Sequence, residues 1–145
     1  MGDIAAHVPI RNVLWSGKNI ITMTATTAVK AGMLVAINAT GVSGAVDPCV
    51  GTGTPIGVAL NDIGAGAKGP IATAGCIVYI NNFSDSVAID AGDFLIGDDA
   101  ACTGAVGAVT TATTPQAIIG VAIDDIAVSD KGRVLITPGA YTYHA

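Results

Sequence analysis

Blocks of this sequence recur in a fixed order, and this internal repeat restricts the possible folds more than any other feature of the chain. The offset between the copies is 60 residues at first and 63 residues later. The recurring blocks are residues 28–35 and 88–95, 56–63 and 119–126, and 68–71 and 131–134. Three blocks in one order indicate two similar units, about 28–71 and 88–134. The pattern of each unit predicts, in order, a turn, a strand, a loop, a strand, an acidic corner, a turn and a strand.

Small and acidic residues occupy the joints of both units. An Ala-Gly pair precedes a strand in each copy, at residues 31–32 and 91–92, where a turn is expected. Asp62 and Asp125 lie near the end of the second block of their units and are suited to accept turn hydrogen bonds from nearby backbone amides. These positions therefore predict structural roles that need no substrate.

The composition favours strands over helices. The chain has 17 Ile, 15 Val and 15 Thr but only 5 Leu and no Glu, together with 19 Gly and 6 Pro. β-branched side chains suit a pleated sheet, and glycine and proline suit tight turns. Because a few strands cannot bury both of their faces alone, we expect the units to pair into one all-β domain, a small β-barrel or sandwich. Within it, residues 69–80 are expected to form one long strand bent at Gly75.

Both ends of the chain lie outside this regular pattern. Residues 1–18 show little alternation and end near a Ser-Gly turn signal, so we interpret them as an N-terminal arm. Residues 19–138 are expected to form the single β domain, and residues 139–145 a C-terminal tail. Tyr141 and Tyr143 alternate in this tail, which suits docking on a partner by strand addition. The alternative, a tail that folds back onto its own barrel, stays open.

The charge argues against two classes of partner. Six Lys and Arg stand against eleven Asp, for a net charge of −5. So few cations cannot supply the phosphate contacts that binding to nucleic acid or to an anionic membrane requires. The longest uncharged stretch, residues 100–123, contains Pro115, Gln116 and several threonines, so it is no spanning helix. We therefore expect neither nucleic acid nor membrane as a partner.

No group of residues forms a recognisable catalytic or cofactor pattern. Residues 64–69 fit the spacing G-x-G-x-x-G, but a strand-like stretch beginning at Pro70 follows them, where a dinucleotide site needs a helix. A hairpin loop is therefore the better interpretation. His7 and His144 lie near opposite ends, where a rigidly held base is not expected. We expect no catalytic residue, no cofactor and no metal ion.

The three cysteines leave two interpretations open. Cys49, Cys76 and Cys102 are spaced 27 and 26 residues apart, which does not match the close ligand pairs of a structural zinc site. They can be incidental buried thiols, or one of them can pair between chains.

The repeat blocks resemble a known family. The blocks that carry the resemblance are AVKAGMLVAI, PIGVALNDI, KGPIATAGCIVYI, AIDAGDFLIGDD, IIGVAIDDI and KGRVLITPG, which together span roughly residues 20–138. This pattern resembles that of the small capsid decoration, or cement, proteins of tailed phages. The resemblance implies a non-enzymatic β protein similar to β-clip or tulip-like domains. It also implies a homotrimer on the outer capsid surface of the virion that bridges copies of the major capsid protein.

The resemblance suggests how such a trimer would be held. We expect the trimer to form through barrel edges and the arm around Arg11 and Trp15 to lie on the capsid. Avidity from three copies of a weak patch would then hold the trimer in place. Cys49 and Cys102, in loop-like surroundings, are candidates for an intermolecular disulfide.

Two alternatives come from other functional classes. One is a fibre or adhesin module that binds a receptor or a glycan, although such sites use clustered aromatic residues on the domain body. The other is a dUTPase-type enzyme, because residues 120–124 loosely resemble its uracil-site strand. The tyrosine expected after Asp124 and the Arg-Ser-Ser phosphate motif are both missing, which argues against this enzyme.

Overall fold

The computed structural model describes residues 13–15, 19–38, 42–49, 54–82, 88–97, 106–108, 116–137 and 142–143. These residues form strands, turns and loops without a helix, so the predicted all-β class is confirmed. The strands are, in chain order, β1 (Val13–Trp15), β2 (Ile20–Ala25), β3 (Leu34–Ile37), β4 (Ala45–Pro48), β5 (Pro55–Ala59), β6 (Lys68–Ala72), β7 (Ile77–Asn81), β8 (Phe94–Gly97), β9 (Val106–Ala108), β10 (Gln116–Ala117), β11 (Gly120–Ala122), β12 (Lys131–Ile136) and β13 (Thr142–Tyr143).

The first half of the chain forms a closed barrel by itself, which falls within the predicted class of a small β-barrel. Its five strands follow the order β2-β4-β3-β5-β6, and β6 pairs back onto β2. All neighbours are antiparallel except β2 and β4, whose parallel pairing closes the barrel. Short and β-branched side chains suit so narrow an interior. The buried residues of this barrel core are Ala25, Val29, Val35, Val46, Ala59, Ile63 and Ile71.

A polar cluster lies where the barrel closes. One oxygen of Asp47, on β4, accepts hydrogen bonds from the hydroxyl of Thr26 and from the backbone N–H and hydroxyl of Thr27, the latter two at 3.2 and 3.1 Å. The other oxygen accepts from the amide of Asn38. These bonds, that from Thr26 above all, lower the pKa of Asp47. The carboxylate thereby ties β4 to the residues that follow β2 and β3.

The second half forms an antiparallel sheet whose edge is extended by β1 from the start of the chain, so that six described strands follow the order β1-β7-β12-β11-β8-β9. Strands β10 and β13 pair separately as a two-stranded sheet, and β10 contacts β8. Within the described residues, β1 and β9 are the two edge strands of the larger sheet. The second half is therefore built like the first without the pairing that closes it.

The two halves share one pairing scheme, residue by residue. The order β7-β12-β11-β8-β9 repeats the order β2-β6-β5-β3-β4 of the barrel. Ile77 lies opposite Leu135 where Ile20 lies opposite Ala72 in the barrel. The structural repeat therefore begins at β2 and at β7, earlier than the sequence blocks indicate.

The acidic corners repeat as well. The backbone N–H of Ala31 donates to Asp62 at 2.9 Å, and that of Ala91 donates to Asp125 at 2.8 Å. Each aspartate thus holds a turn, as predicted, but the turn is the Ala-Gly turn of its own unit, more than thirty residues away in sequence, and not a neighbouring one.

The predicted long strand over residues 69–80 is wrong. Strand β6 ends at Ala72, and a turn follows in which the backbone N–H of Cys76 donates to the carbonyl of Thr73 at 3.3 Å. Strand β7 then begins at Ile77. The reason is topological, because β6 completes the first unit and β7 opens the second.

The outer side of the barrel packs on the inner side of the second sheet. Adjacent residues of a strand point to opposite faces, so Val35 lies in the barrel core while Leu34 faces the second half. This shared core is larger than the barrel core and joins the two units. Its buried residues are Leu34, Cys49, Val58, Leu60, Ala72, Cys76, Val78, Ile80, Ile89, Leu95, Ile119, Ala122, Ile126, Val134 and Ile136.

Candidate partner-binding surface

Four apolar side chains form a row across the outer face of the second sheet. Ile77 on β7 lies opposite Leu135, Leu135 opposite Val121 on β11, and Val121 opposite Phe94 on β8. Residues directly opposite each other on neighbouring strands share one face of the sheet. Phe94 is 52 % exposed, and the other three are half-buried. We call these four residues the outer row.

The same row exists in the barrel, where it is buried. There Ile20 lies opposite Ala72, Ala72 opposite Val58, and Val58 opposite Leu34. Leu34 is 0 % exposed, Ala72 and Val58 are equally buried, and Ile20 packs against the shared core. We call these four residues the covered row. The two rows differ in environment because the second sheet packs on only one of them.

A polar strip borders the outer row. The guanidinium of Arg133 donates to both carboxylate oxygens of Asp124, with 2.6 Å from Nη2 to Oδ1, and the backbone N–H of Arg133 donates to Oδ2 at 2.9 Å. The Nζ atom of Lys131 lies 5.6 Å from the ring centroid of Tyr79, whose backbone pairs with Arg133. The strip therefore presents cations on an otherwise acidic protein.

The ion pair changes how these two groups titrate. Hydrogen bonds from Arg133 hold the pKa of Asp124 at about 2, and Asp124 in turn raises the pKa of Arg133. Both side chains are partly exposed, so solvent screens the pair and its main effect is to orient the side chains. Asn61 and Pro70 occupy the equivalent positions in the barrel, so this pair belongs to the second unit alone.

The structure brings one predicted contact residue next to the outer row. Strand β1 pairs with β7 at the sheet edge, and its residue Trp15 lies opposite Ile77, at the end of the row. Tyr143 lies on β13, paired with Gln116 of β10. The predicted contact residues Arg11 and Tyr141 lie outside the described residues.

The prediction for Cys49 needs correction. Cys49 follows the end of β4, and its backbone N–H donates to the carbonyl of Leu34 at 2.9 Å. Its side chain is nevertheless only 1 % exposed, because it lies in the shared core. Burial raises the pKa of the Cys49 thiol to about 11, which keeps it protonated and unreactive. Disulfide exchange with another chain would require the core to open. Cys102, the other candidate, lies outside the described residues.

Sequence reasoning missed the outer row, although the repeat contains the signal for it. The aligned blocks pair Leu34 with Phe94 and Val58 with Val121. If Leu34 and Val58 are known to lie between the units, Phe94 and Val121 are recognisable as the equivalent residues that the other unit does not cover. Apolar character alone does not distinguish the two.

The described part of the chain holds neither a metal-binding cluster nor a membrane-spanning helix. No group of three or more His, Cys, Asp or Glu side chains is arranged to hold a metal ion there. Among the same residues, no helix has the length and apolar character to cross a membrane. The predicted hairpin at residues 64–69 is present, as the turn between β5 and β6.

Two repeated β units around a shared core, with an apolar row on one outer face, describe an all-β structural protein. The chain belongs to the phage cement protein family, whose pattern matches residues 15–138. This match confirms the resemblance noted in the sequence and places the chain among the structural proteins associated with phage heads.

A solved structure shares the fold. The chain is similar to the N base of head fiber gp8.5 of bacteriophage phi29, with a TM-score of 0.59 at 17 % sequence identity. The similarity covers 87 % of this chain and 98 % of that one. No curated protein matches the chain.

Proposed function

We propose that this protein is a non-enzymatic decoration protein that binds the outer surface of an assembled phage head. It acts as a homotrimer that bridges neighbouring copies of the major capsid protein and stabilises the shell. The family match over residues 15–138 carries this proposal. Its net charge of −5 accords with a position outside the shell, away from the packaged DNA.

The stabilising effect follows from linkage. A ligand that binds the assembled lattice but not separate capsid subunits shifts the equilibrium toward the lattice. A trimer engages the lattice through three copies of one patch, so modest contacts combine into a tight attachment. Because the shared core joins the two units, each chain is a stiff domain. A trimer of such domains holds its three patches at fixed distances.

The N-terminal arm and the C-terminal tyrosines are the proposed capsid contacts. β1 anchors the arm beside the outer row, so Arg11 precedes a segment that is already tied to the domain. Tyr143 lies in β13, where it pairs with Gln116 of β10. Cys102 remains the candidate for a crosslink between trimers or to the shell.

Co-sedimentation tests the proposed function. The purified protein is mixed with heads that lack it, in the expanded and in the unexpanded form, and pelleted through a cushion. We expect it to pellet with expanded heads and to raise the temperature at which they release DNA. A protein that stays in the supernatant with both forms would refute binding to heads.

Two truncations locate the arm's contribution. Deleting residues 1–12 leaves β1 in the sheet, whereas deleting residues 1–17 also removes β1. If Arg11 and its neighbours contact the capsid, the shorter deletion already weakens co-sedimentation. If only the longer deletion weakens it, the contribution comes from β1 and the residues just after it, and not from Arg11 and its neighbours. Unchanged binding in both rejects the arm as a capsid contact.

A fibre-type module is the second candidate function. The likeness to the base of a head fibre favours it, because the same fold forms the base of that fibre. Such a module would bind a receptor or glycan on the host surface. Binding of the labelled protein to whole host cells, without any binding to heads, would favour this candidate over the decoration protein.

A further inference from the structure

The outer row has the same place in the second unit as the covered row in the first. Each consists of four apolar residues at equivalent positions on four equivalent strands, in one continuous line of cross-strand pairs. In the first unit a β face of this same chain covers the row. In the second unit the described residues leave Phe94 half exposed. The second unit thus carries an apolar row that the described residues of one chain do not cover.

We infer that the outer row packs against a second copy of this chain. The inference rests on the homotrimer of the proposed function and names its contact face. Around a threefold axis, equivalent residues of the three copies approach one another. Three outer rows turned toward the axis would bury Phe94 and the half-buried Val121 and Leu135 together, as the covered row is buried within each chain.

The charges of the polar strip favour a second copy of this chain as the partner of the outer row. The chain as a whole is strongly acidic, so contact between copies brings like charges together on most faces. The polar strip is different, because it carries Lys131 and Arg133 beside Asp124. Copies that meet at this strip therefore do not bring an excess of negative charge together. The Arg133–Asp124 pair also presents both signs side by side, a pattern that can pair with itself.

A matched pair of substitutions tests the inference. Phe94 is 52 % exposed on the outer row, and Ile37 is 50 % exposed on the barrel strand β3, away from the row. A charge at either position meets solvent in the isolated chain, so both Phe94→Asp and Ile37→Asp should fold. Thermal unfolding of both variants checks this point. Phe94→Ser serves as a milder second variant.

Light scattering after size exclusion, over a range of concentrations, gives the readout. We expect the wild type and Ile37→Asp to show three times the 14.2 kDa chain mass. Phe94→Asp should run as a monomer, with self-association weaker by about tenfold or more, and Phe94→Ser should lie between. A Phe94→Asp variant with the wild-type mass would overturn the inference. An equal loss of the trimer in Phe94→Asp and Ile37→Asp would also overturn it.

Head co-sedimentation in parallel separates this inference from the proposed function. A wild type that is monomeric in solution yet pellets with heads would overturn the self-contact and leave the decoration role intact. A trimer that depends on Phe94 but never pellets with heads would support the self-contact and overturn the decoration role. If Phe94→Asp keeps the trimer and loses head binding, the outer row meets the head, and the inference is wrong.

Discussion

The first half of the chain closes into a barrel, whereas the described strands of the second half form an open sheet, although both pair their strands in the same order and register. In the barrel, β4 occupies the free edge of β2. In the second half, β1 occupies the equivalent edge of β7, and β9, the counterpart of β4, ends the sheet on the far side. Closure therefore depends on which strand reaches an edge, not on the repeated unit itself.

The same comparison explains the two rows. The part of the barrel that carries the covered row is buried on both sides, because the barrel interior holds one core and the covered row lies on the shared core. The second sheet contributes one face to the shared core and leaves the other to solvent. One repeated unit thus provides an internal interface in its first copy and an available surface in its second.

The largest expected difference between the halves is at the equivalent residues Leu34 and Phe94. Leu34→Ala should lower the free energy of unfolding by about 2–5 kcal/mol, because it leaves a cavity in the shared core. Phe94→Ala should cost less than about 1 kcal/mol in the monomer, because this side chain is half exposed. Urea unfolding at low protein concentration measures both. Equal losses would show that the outer row is covered within one chain.

A second prediction concerns a close approach that both halves share. A Cβ atom on Gly57 would press against the carbonyl oxygen of Ala72, and one on Gly120 against that of Leu135. Backbone cannot move aside as a side chain can, so Gly57→Ala and Gly120→Ala should each cost about 1–3 kcal/mol. Gly64→Ala is the control, because the nearest atom to its Cβ is 4.0 Å away.

Chemical denaturation of the three glycine variants checks this prediction. Similar losses at Gly57 and Gly120 mean that the two sheets are equally tight at this position. A loss at Gly57 alone would show that the open sheet relaxes where the closed barrel cannot. A loss at Gly64 as large as the others would mean that steric contact is not the cause.

The repeated unit could be predicted from the sequence because its signals are local. The Ala-Gly turns, the aspartates that hold them and the runs of β-branched residues act within one unit. Asp62 and Asp125 have the structural role that their positions predicted. The small glycines at equivalent positions likewise reflect strand contacts inside each unit.

The relation between the units could not be predicted in the same way. Leu34 and Phe94 are both apolar residues that begin a strand, and only the packing of one half on the other buries the first and exposes the second. Cys49 follows a strand in what looks like a loop, yet its side chain enters the shared core for the same reason. The choice of β1 as the neighbour of β7 is equally a matter of long-range pairing.

A smaller effect is expected from exchanging two turn residues. Gly66 has a φ of +76° and Ser129, its counterpart, a φ of +61°. Each donates its N–H at 2.8 Å to an equivalent carbonyl, that of Ala25 for Gly66 and that of Asn82 for Ser129. This left-handed conformation suits glycine better than serine. Gly66→Ser should cost about 1 kcal/mol, and Ser129→Gly should stabilise by about 0.5 kcal/mol, since added freedom in the unfolded chain offsets part of the gain.

Thermal unfolding of the two single variants and of the double swap measures this exchange. The two effects should add, because the turns lie in different units. Stabilisation by Gly66→Ser, or a loss on Ser129→Gly, would show that side-chain contacts and not backbone conformation decide the residue at this turn.

The smallest expected difference is in the response to acid. The pKa of Asp124 is about 2 in the folded chain and near 3.8 when unfolded, so folding favours its ionised form. Its contribution is fully present above about pH 5 and is lost as the pH falls toward 2. Asp124→Asn should therefore lower the unfolding temperature slightly at pH 7 and hardly at all at pH 2.

Asp47, whose pKa is also lowered, keeps part of the acid sensitivity in this variant. The equivalent barrel residue, Asn61, does not titrate, so Asn61→Ala is the control and should show no such dependence. An Asp124→Asn effect that is the same at both pH values would mean that the Arg133 pair does not contribute through charge.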